Sequence, residues 1–303
     1  MTDGLLRLGI DLGGTKIEGC VLAHDGSEAA RQRILAPQGN YEDTLSALAS
    51  LIRDLEKQAG TAVTIGIGMP GSLSPSTGLV RNANSTWLNG RPLRQDLEAA
   101  LGRPVRMAND ANCFALSEAT DGAGAGARSV FGIIIGTGCG GGLVFDGRVL
   151  EGARGIGGEW GHNPLPWADP DEHPGPTCWC GRTGCMEMWA SGTGLSGDYK
   201  RRTGDLVSGH EIVARAALGE PAAKTSLDRH ASRLARGLAH VVNIADPEII
   251  VLGGGLSKLP HLYEVLPGLA APYVFSDVPA IVIRPPKWGD ASGVRGAAWL
   301  WNE

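Results

Sequence analysis

A short motif occurs twice in this chain, and its repetition limits the folds that the chain can adopt. The first copy runs from an apolar segment into Gly9–Lys16 (GIDLGGTK), returns to apolar residues and ends at Asp25-Gly26. The second copy runs from Phe131 through Gly136-Thr137-Gly138 into a second apolar segment and ends at Asp146-Gly147. Each copy is typical of two strands joined by a glycine-rich turn. The repetition predicts a duplicated domain with one phosphate loop in each half.

The residues of the first copy suit phosphate and a metal ion. Gly13 and Gly14 carry no Cβ, so backbone amides can approach a ligand closely. These amides, the Thr15 hydroxyl and the Lys16 ammonium suit phosphate, and the Asp11 carboxylate suits a metal ion that accompanies phosphate. An ordinary glycine-rich hairpin and a solvated surface lysine are the alternatives for a motif this short.

The second copy also matches the G-x-G-x-x-G pattern of dinucleotide-binding folds, over Gly136–Gly141. That fold requires a helix directly after the glycines and an acidic residue about 20 residues later. Leu143–Phe145 instead continues as an apolar strand that ends in a turn. The dinucleotide interpretation is therefore disfavoured.

The rest of the chain alternates predicted strands and helices, which indicates an α/β fold. Residues 5–35 have the pattern of strands, and the Gly/Ala-rich segment 121–128 marks a change of domain. We expect a small lobe of residues 1–120 with the C-terminal helix 291–303, and a large lobe of residues 121–290. Apolar spacing predicts further strands over 63–69, 105–108, 130–135 and 248–252, and helices over 41–59, 93–101, 112–119, 208–217, 222–244 and 293–301.

Composition excludes several classes of function. The 303 residues carry a formal net charge of −5 without a basic cluster, which disfavours nucleic acid as a partner. No apolar run approaches the roughly 18 residues of a membrane helix, and no signal peptide is visible, so we expect a cytoplasmic protein without a membrane partner.

Three of the six cysteines lie together in a loop-rich region, in Cys178–Cys185 (CWCGRTGC). The thiolates of Cys178, Cys180 and Cys185 with the imidazole of His162 make a tetrahedral zinc set. Glycines at 181 and 184 permit the tight turns that this set requires. Three buried structural cysteines are the alternative, but a polar loop rich in proline and glycine offers no core to bury them. All four ligand positions are filled, so the sequence predicts a structural zinc ion.

Three carboxylates are candidates for chemistry. Asp110 lies where a predicted strand gives way to a helix, which suits a general base for a hydroxyl group and equally suits a helix N-cap. Glu159 and Glu187 each lie within a few residues of a predicted zinc ligand. Surface glutamates are common, but two held by one metal-fixed loop form a plausible polyol pocket.

These motifs occur together in an order that resembles the ROK family (repressors, open reading frames and sugar kinases). The resemblance covers essentially the whole chain and implies an actin-like, hexokinase-like ATPase fold, with two duplicated α/β lobes around a cleft. It also implies a homodimer that binds ATP and a hexose. The motifs that carry it are Gly9–Lys16, Asn109–Asn112, Gly136–Gly138, Gly158–His162, Cys178–Glu187 and Gly253–Gly255.

The resemblance also implies the role of each matching residue. Asp110 matches the catalytic base, and His162, Cys178, Cys180 and Cys185 match the zinc ligands. The positions that match the substrate site are Gly71, Asn84, Asn109, Glu159, His162 and Glu187. The positions that match the site of ATP and Mg²⁺ are Asp11, Gly13, Gly14, Thr15, Lys16, Thr137, Gly138 and Gly254.

Two loops favour a subtype. Asn82–Gly90 and Trp160–Trp167 look most like bacterial fructokinases that also accept mannose, whereas Asn109–Ala119 is equally like N-acetylglucosamine kinases. We therefore expect an ATP-dependent fructokinase that phosphorylates the 6-hydroxyl, with a glucokinase or N-acetylglucosamine kinase as the alternative. The other classes considered are a sugar-responsive transcriptional regulator, disfavoured because the first motif begins at residue 9, and an actin-like assembly or chaperone ATPase. The latter would not need the sugar-type loop between Glu159 and Glu187. The Pro- and acid-rich spacer 163–177 has no predictable conformation.

Overall fold

The computed structural model of the chain describes residues 6–301. The predicted strand start at residue 5 and the ends of the predicted small lobe, 1–5 and 302–303, lie outside these residues. The strands are Leu6–Leu12 (β1), Lys16–Leu22 (β2), Glu28–Leu35 (β3), Val63–Met69 (β4), Ser72–Leu73 (β5), Val80–Arg81 (β6), Arg106–Asn109 (β7), Ser129–Ile135 (β8), Cys139–Phe145 (β9), Arg148–Val149 (β10), Ile249–Gly253 (β11) and Ile283–Arg284 (β12).

The helices follow the predicted order, with three additions. They are Tyr41–Ala59 (α1), Leu93–Leu101 (α2), Asp110–Thr120 (α3), Glu187–Ala190 (α4), Gly192–Thr203 (α5), Gly209–Ala217 (α6), Pro221–Ala245 (α7), Pro260–Ala270 (α8) and Ser292–Trp299 (α9). No helix within residues 6–301 is both long enough and apolar enough to cross a membrane.

The chain divides into two compact units. The first comprises the residues up to Gly126, Gly142–Gly157 and the residues from Lys287 onward, and the second comprises Ala127–Gly141 and Gly158–Pro286. The predicted division into lobes of 1–120 with 291–303 and 121–290 remains a prediction.

The first unit is built on a five-stranded sheet in the order β3-β2-β1-β4-β7. β1, β4 and β7 are parallel, and β2 and β3 extend the sheet as antiparallel strands. Helix α1 buries Leu48, Leu51, Ile52 and Leu55 in the core of this unit, the apolar face that its spacing predicts. Asn40 caps the first turn of α1, and Gly60 ends the helix in a left-handed conformation.

The backbone of helix α9 packs directly against the backbone of this sheet. A Cβ on Gly9 of β1 would lie 2.0 Å from the Val294 carbonyl oxygen, and a Cβ on Gly66 of β4 would lie 1.8 Å from that of Ala297. On another face of α9, a Cβ on Gly296 would lie 1.7 Å from the carbonyl oxygen of Cys113 in α3. Only glycine fits at these positions. The close packing of α9 therefore requires glycine at three positions that are far apart in the sequence.

The second unit contains the parallel pair β8 and β11, which β12 extends. These strands belong to a second five-stranded sheet in the order β10-β9-β8-β11-β12, in which β9 contributes residues to both units. The long helix α7 packs against α5, α6 and α8 and buries Leu234 and Leu238 on its apolar face.

Candidate active site

Four predicted site residues of the first unit lie at or just beyond the carboxyl ends of three parallel strands. β1 ends beside Asp11, β4 runs into Gly71, and β7 ends at Asn109 immediately before Asp110. Asp11 pairs in register with Gly68, and Met69 pairs with Asn109. Ligands of α/β sheets bind at this edge because the loops that leave it are free to carry functional groups.

Asp11 has an unusual electrostatic environment. Burial, followed by the negative charges of Asp110 and Glu18, raises its pKa from 3.8 to about 6, although Lys16 and Arg33 oppose the shift. A partly buried carboxylate with other acids around it concentrates negative charge. This environment fits a divalent cation, the role that the resemblance implies for Asp11.

The turn between β1 and β2 has the predicted form. The Gly13 N–H donates to the Lys16 carbonyl at 3.0 Å and closes the turn, and Thr15 is exposed at its tip. The Lys16 ammonium lies 3.9 Å from Glu18 Oε2, with 45% of the side chain exposed. Gly14 lies against the segment that holds Asn84, because a Cβ on Gly14 would be 3.3 Å from Ser85 Oγ.

Asn109, rather than Asp110, caps helix α3. The Asn109 side-chain oxygen accepts from the Ala111 N–H at 2.9 Å, and its amide nitrogen donates to the Gly71 carbonyl at 3.0 Å. Asp110 is the first helical residue, is exposed, and accepts from the same N–H at 2.8 Å. The neighbour therefore supplies the cap that was the alternative role for Asp110, and the Asp110 side chain is accessible to a substrate.

The loop with Asn84 is closed by a reciprocal pair of hydrogen bonds. Ala83 N–H donates to Asn89 Oδ1 and Asn89 Nδ2 donates to the Ala83 carbonyl, both at 2.9 Å. Asn82 adopts a left-handed conformation with φ of 56°, and Asn84 is exposed. This closure holds Asn84 on the surface of the first unit near the Gly14 turn.

A cavity of about 520 Å³ opens beside Asn109 within the first unit. It is lined by Asn109 and Asn112, by the β5–β6 hairpin and by Glu151. Small-molecule sites usually enclose about 300–1,000 Å³. Sequence reasoning missed Glu151 because no motif surrounds it. Only the fold brings it beside Asn109.

The predicted phosphate residues of the second unit lie at the ends of its two parallel strands. β8 runs into Gly136-Thr137-Gly138 and β11 runs into Gly254, and Gly253 pairs with Ile134 in register. A Cβ on Gly254 would lie 2.6 Å from the Ile135 carbonyl oxygen, so the two strand ends approach closely. Helix α5 supports Thr137, whose carbonyl accepts from Thr193 Oγ1 at 2.8 Å.

The predicted zinc residues come together in the second unit. The ligand atoms of His162, Cys178, Cys180 and Cys185 all lie within 4.8 Å of one another. A backbone bridge between Pro164 and Cys185 brings His162 to the cysteine loop, and Gly181 and Gly184 adopt positive φ of 85° and 70°. Three sulfur donors and one imidazole are the donor set that tetrahedral zinc prefers.

The cysteines of this cluster differ in acidity. Burial raises the pKa of Cys180, but hydrogen bonds from the Arg182 backbone and the neighbouring thiols lower it to about 7. Burial and the neighbouring sulfurs raise the pKa of Cys185 to about 12. The thiolate, rather than the thiol, is the form of cysteine that binds a metal ion.

The two glutamates beside the cluster have different surroundings. Glu159 is exposed and precedes the single helical turn Trp160–His162. Glu187 accepts from the Cys139 N–H at 3.1 Å and from Trp179 Nε1 at 2.7 Å. Sequence reasoning also missed Trp179, although its place between two zinc ligands was a visible signal.

Buried ion pairs fix the spacer 163–177 of the second unit. Glu172 is 6% exposed and accepts from Arg233 Nε at 2.7 Å and from Arg236 Nη1 and Nη2 at 2.8 and 2.9 Å. Burial opposes the shift, but these arginines lower the pKa of Glu172 to about 2. The spacer is therefore anchored to helix α7.

A model of the ROK family matches residues 7–303. The N-acetyl-D-glucosamine kinase of Photobacterium profundum is 42% identical over 298 residues, which are 96% of this chain and 98% of that protein.

Two solved structures are also similar. The ROK hexokinase from Thermus thermophilus is 34% identical with a TM-score of 0.87, and the match covers 97% of each chain. The ROK family glucokinase from Streptomyces griseus, solved with glucose and AMPPNP, is 28% identical with a TM-score of 0.74 over 97% of this chain and 98% of that one. These matches confirm the predicted α/β fold of the actin-like, hexokinase-like ATPase type.

Proposed function

Because the chain belongs to the ROK family, we propose that this ATP-dependent sugar kinase phosphorylates the 6-hydroxyl of N-acetylglucosamine. The observation that carries the choice of sugar is the 42% identity to an N-acetyl-D-glucosamine kinase over almost the full length of both proteins. The expectation of a fructokinase is not confirmed, and this relative favours the alternative instead. The loops Asn82–Gly90 and Trp160–Trp167 were insufficient to identify the sugar.

Asp110 is the proposed general base. Its exposed carboxylate accepts the proton of the 6-hydroxyl as that oxygen attacks the γ-phosphorus and ADP leaves. Asn109 holds the start of helix α3 against the Gly71 loop, so the base stands on a fixed element. A positioned base contributes about 10²–10⁴-fold to such a proton transfer.

Backbone amides of the two glycine-rich turns bind the phosphates in this proposal, with Thr15, Lys16, Thr137 and Gly254 beside them. Asp11 would hold the magnesium ion, because its environment concentrates negative charge. Magnesium held there would neutralise charge on the transferred phosphoryl group, which is the main catalytic requirement of phosphoryl transfer.

We assign a structural zinc ion to His162, Cys178, Cys180 and Cys185, whose geometry and donor chemistry fit it. Zinc held there would crosslink the loop that carries Glu187. The residues proposed to contact sugar hydroxyls are Asn84 and Asn109 in the first unit and Glu159, His162 and Glu187 in the second. Oligomeric state is a separate proposal, a homodimer, and rests on the family resemblance alone.

The test of the sugar is a coupled ADP-release assay with N-acetylglucosamine, glucose, fructose and mannose at equal concentrations. We expect the highest kcat/KM with N-acetylglucosamine. A higher kcat/KM with fructose would restore the first expectation, and no sugar-stimulated ADP release would refute the kinase.

The test of the base is Asp110→Asn, which keeps the size of the side chain and removes its basicity. We expect kcat to fall at least about 100-fold with sugar affinity nearly unchanged by calorimetry. Asp54→Asn, at an exposed position of helix α1, is the matched control and should retain full activity. Near-normal turnover of Asp110→Asn would remove this residue from the mechanism.

A further inference from the structure

Trp179 has no part in the proposed reaction, yet its side chain is held at both ends. It is 67% exposed, and exposed side chains usually sample several rotamers. Its indole Nε1 donates to Glu187 Oε1 at 2.7 Å, and its ring packs edge-to-face on His162 with centroids 5.0 Å apart. One exposed aromatic residue therefore contacts two of the proposed sugar-binding residues.

The backbone of a tight turn carries Trp179. The Cys178 N–H donates to the Arg182 carbonyl at 2.8 Å, and the Gly181 N–H donates to the Cys178 carbonyl at 3.0 Å. These bonds make a tight turn with Trp179 at its second position. The location of the indole is therefore set by the same loop that gathers the cysteines.

The other carboxylate oxygen of Glu187 lies against the phosphate loop of this unit. Glu187 Oε2 accepts from the Cys139 N–H at 3.1 Å, and a Cβ on Gly138 would lie 2.8 Å from that oxygen. A single carboxylate thus joins the cysteine loop to the loop after β8. The terminal torsion of glutamate is broad, so a carboxylate held at one oxygen only can rotate.

We infer that Trp179 is a positioning residue that orients the carboxylate of Glu187. Its N–H fixes Oε1 while the Cys139 N–H fixes Oε2, and the two donors together leave one orientation of the carboxylate plane. The inference deepens the proposed function, and its kinetic consequence rests on that function. A fixed Glu187 binds a sugar hydroxyl without first having to become ordered, so loss of the indole N–H weakens sugar binding more than ATP binding.

The kinetic test is Trp179→Phe, which keeps an aromatic ring beside His162 and removes the donor. We expect KM for the sugar to rise roughly tenfold, the effect of losing one hydrogen bond to a charged group, with kcat and KM for ATP within about twofold. Trp288→Phe is the matched control, because Trp288 Nε1 also donates to a carboxylate, Asp121 Oδ1 at 2.9 Å, and neither residue belongs to the proposed site. It should leave all three constants unchanged.

If Trp179 acts through Glu187, the two substitutions Trp179→Phe and Glu187→Gln should not have additive effects. In a Glu187→Gln background the effect of Trp179→Phe on the sugar KM should largely disappear, because the acceptor has already been altered. An unchanged sugar KM in Trp179→Phe, or effects that simply add in the double variant, would overturn the inference.

The indole resonance gives a readout that needs no substrate. The chain has eight tryptophans, so its indole ¹H–¹⁵N spectrum can be assigned by single substitutions. Glu187→Gln should shift the Trp179 resonance and leave that of Trp167 in place. If the wild type phosphorylates no hexose, the proposed function fails and this spectrum decides the inference alone: an unmoved Trp179 resonance overturns it.

Discussion

Replacing Asp11 by asparagine should stabilise the protein at neutral pH while it abolishes activity. The wild-type carboxylate is partly buried near Asp110 and Glu18, and this environment raises its pKa from 3.8 to about 6. Ionised Asp11 therefore destabilises the folded state. Asparagine has nearly the same shape and carries no charge, so it removes this penalty together with the candidate magnesium ligand.

The size and sign of the effect follow from the two pKa values. The rise from 3.8 to about 6 corresponds to about 3 kcal/mol, at about 1.36 kcal/mol per unit. Below the unfolded pKa both states hold the proton and the group contributes nothing. As pH rises, the unfolded chain loses its proton first, so the free energy of unfolding falls until the folded pKa is passed. The gain in Asp11→Asn should be under about 1 kcal/mol at pH 4 and about 3 kcal/mol at pH 7.

Urea unfolding of the wild type and Asp11→Asn from pH 4 to pH 7.5, without magnesium or nucleotide, measures this difference. Asp54→Asn is again the matched control, since it makes the same substitution at an exposed position of helix α1. A difference between the wild type and Asp11→Asn that stays constant with pH would refute the electrostatic argument. So would an Asp11→Asn variant that is less stable than the wild type at pH 7.

Two further predictions concern the glycine loop and the metal cluster. Gly71 has φ of 72°, and an added Cβ would lie 2.2 Å from the Arg81 carbonyl oxygen. Gly71→Ala should therefore lower the free energy of unfolding by about 1–3 kcal/mol more than Gly90→Ala, whose φ is 78° but whose Cβ would meet no atom within 4 Å. Equal losses in thermal denaturation would contradict the steric reason. The purified chain should contain one zinc ion by elemental analysis. Cys180→Ser should lose this ion, and Cys20→Ala should retain it. A wild type without zinc would contradict the proposed zinc site.

Local pattern predicted most of the first unit. Helices α1 and α2 and strand β4 begin and end at the predicted residues, because clear apolar spacing is bounded by caps and turns. Helix α3 begins at Asp110, two residues earlier than predicted, since the Asn109 side chain supplies the cap. Helices α5 and α8 were missed because three glycines in the first and Pro267 inside the second weaken the helical signal.

The candidate site divides in the same way. Residues inside short motifs, such as Asp11, Thr137 and the cysteines, lie where strand ends or tight turns place them, and their roles remain proposals. The anchoring of the spacer by Glu172 depends on Arg233 and Arg236, more than sixty residues later in the chain. A local sequence pattern cannot predict an ion pair between residues that far apart.

The packing of α9 has a consequence for the order in which the protein can mature. Gly9 and Gly66 pack directly against the backbone of Val294 and Ala297. That face of the first unit's sheet is therefore uncovered until α9 has been synthesised and has packed against it. A ribosome releases those residues only after the whole of Ala127–Pro286 has been made. The half of the protein that is synthesised first is therefore the half that finishes folding last, and a nascent chain without α9 exposes the centre of that sheet to chaperones and proteases.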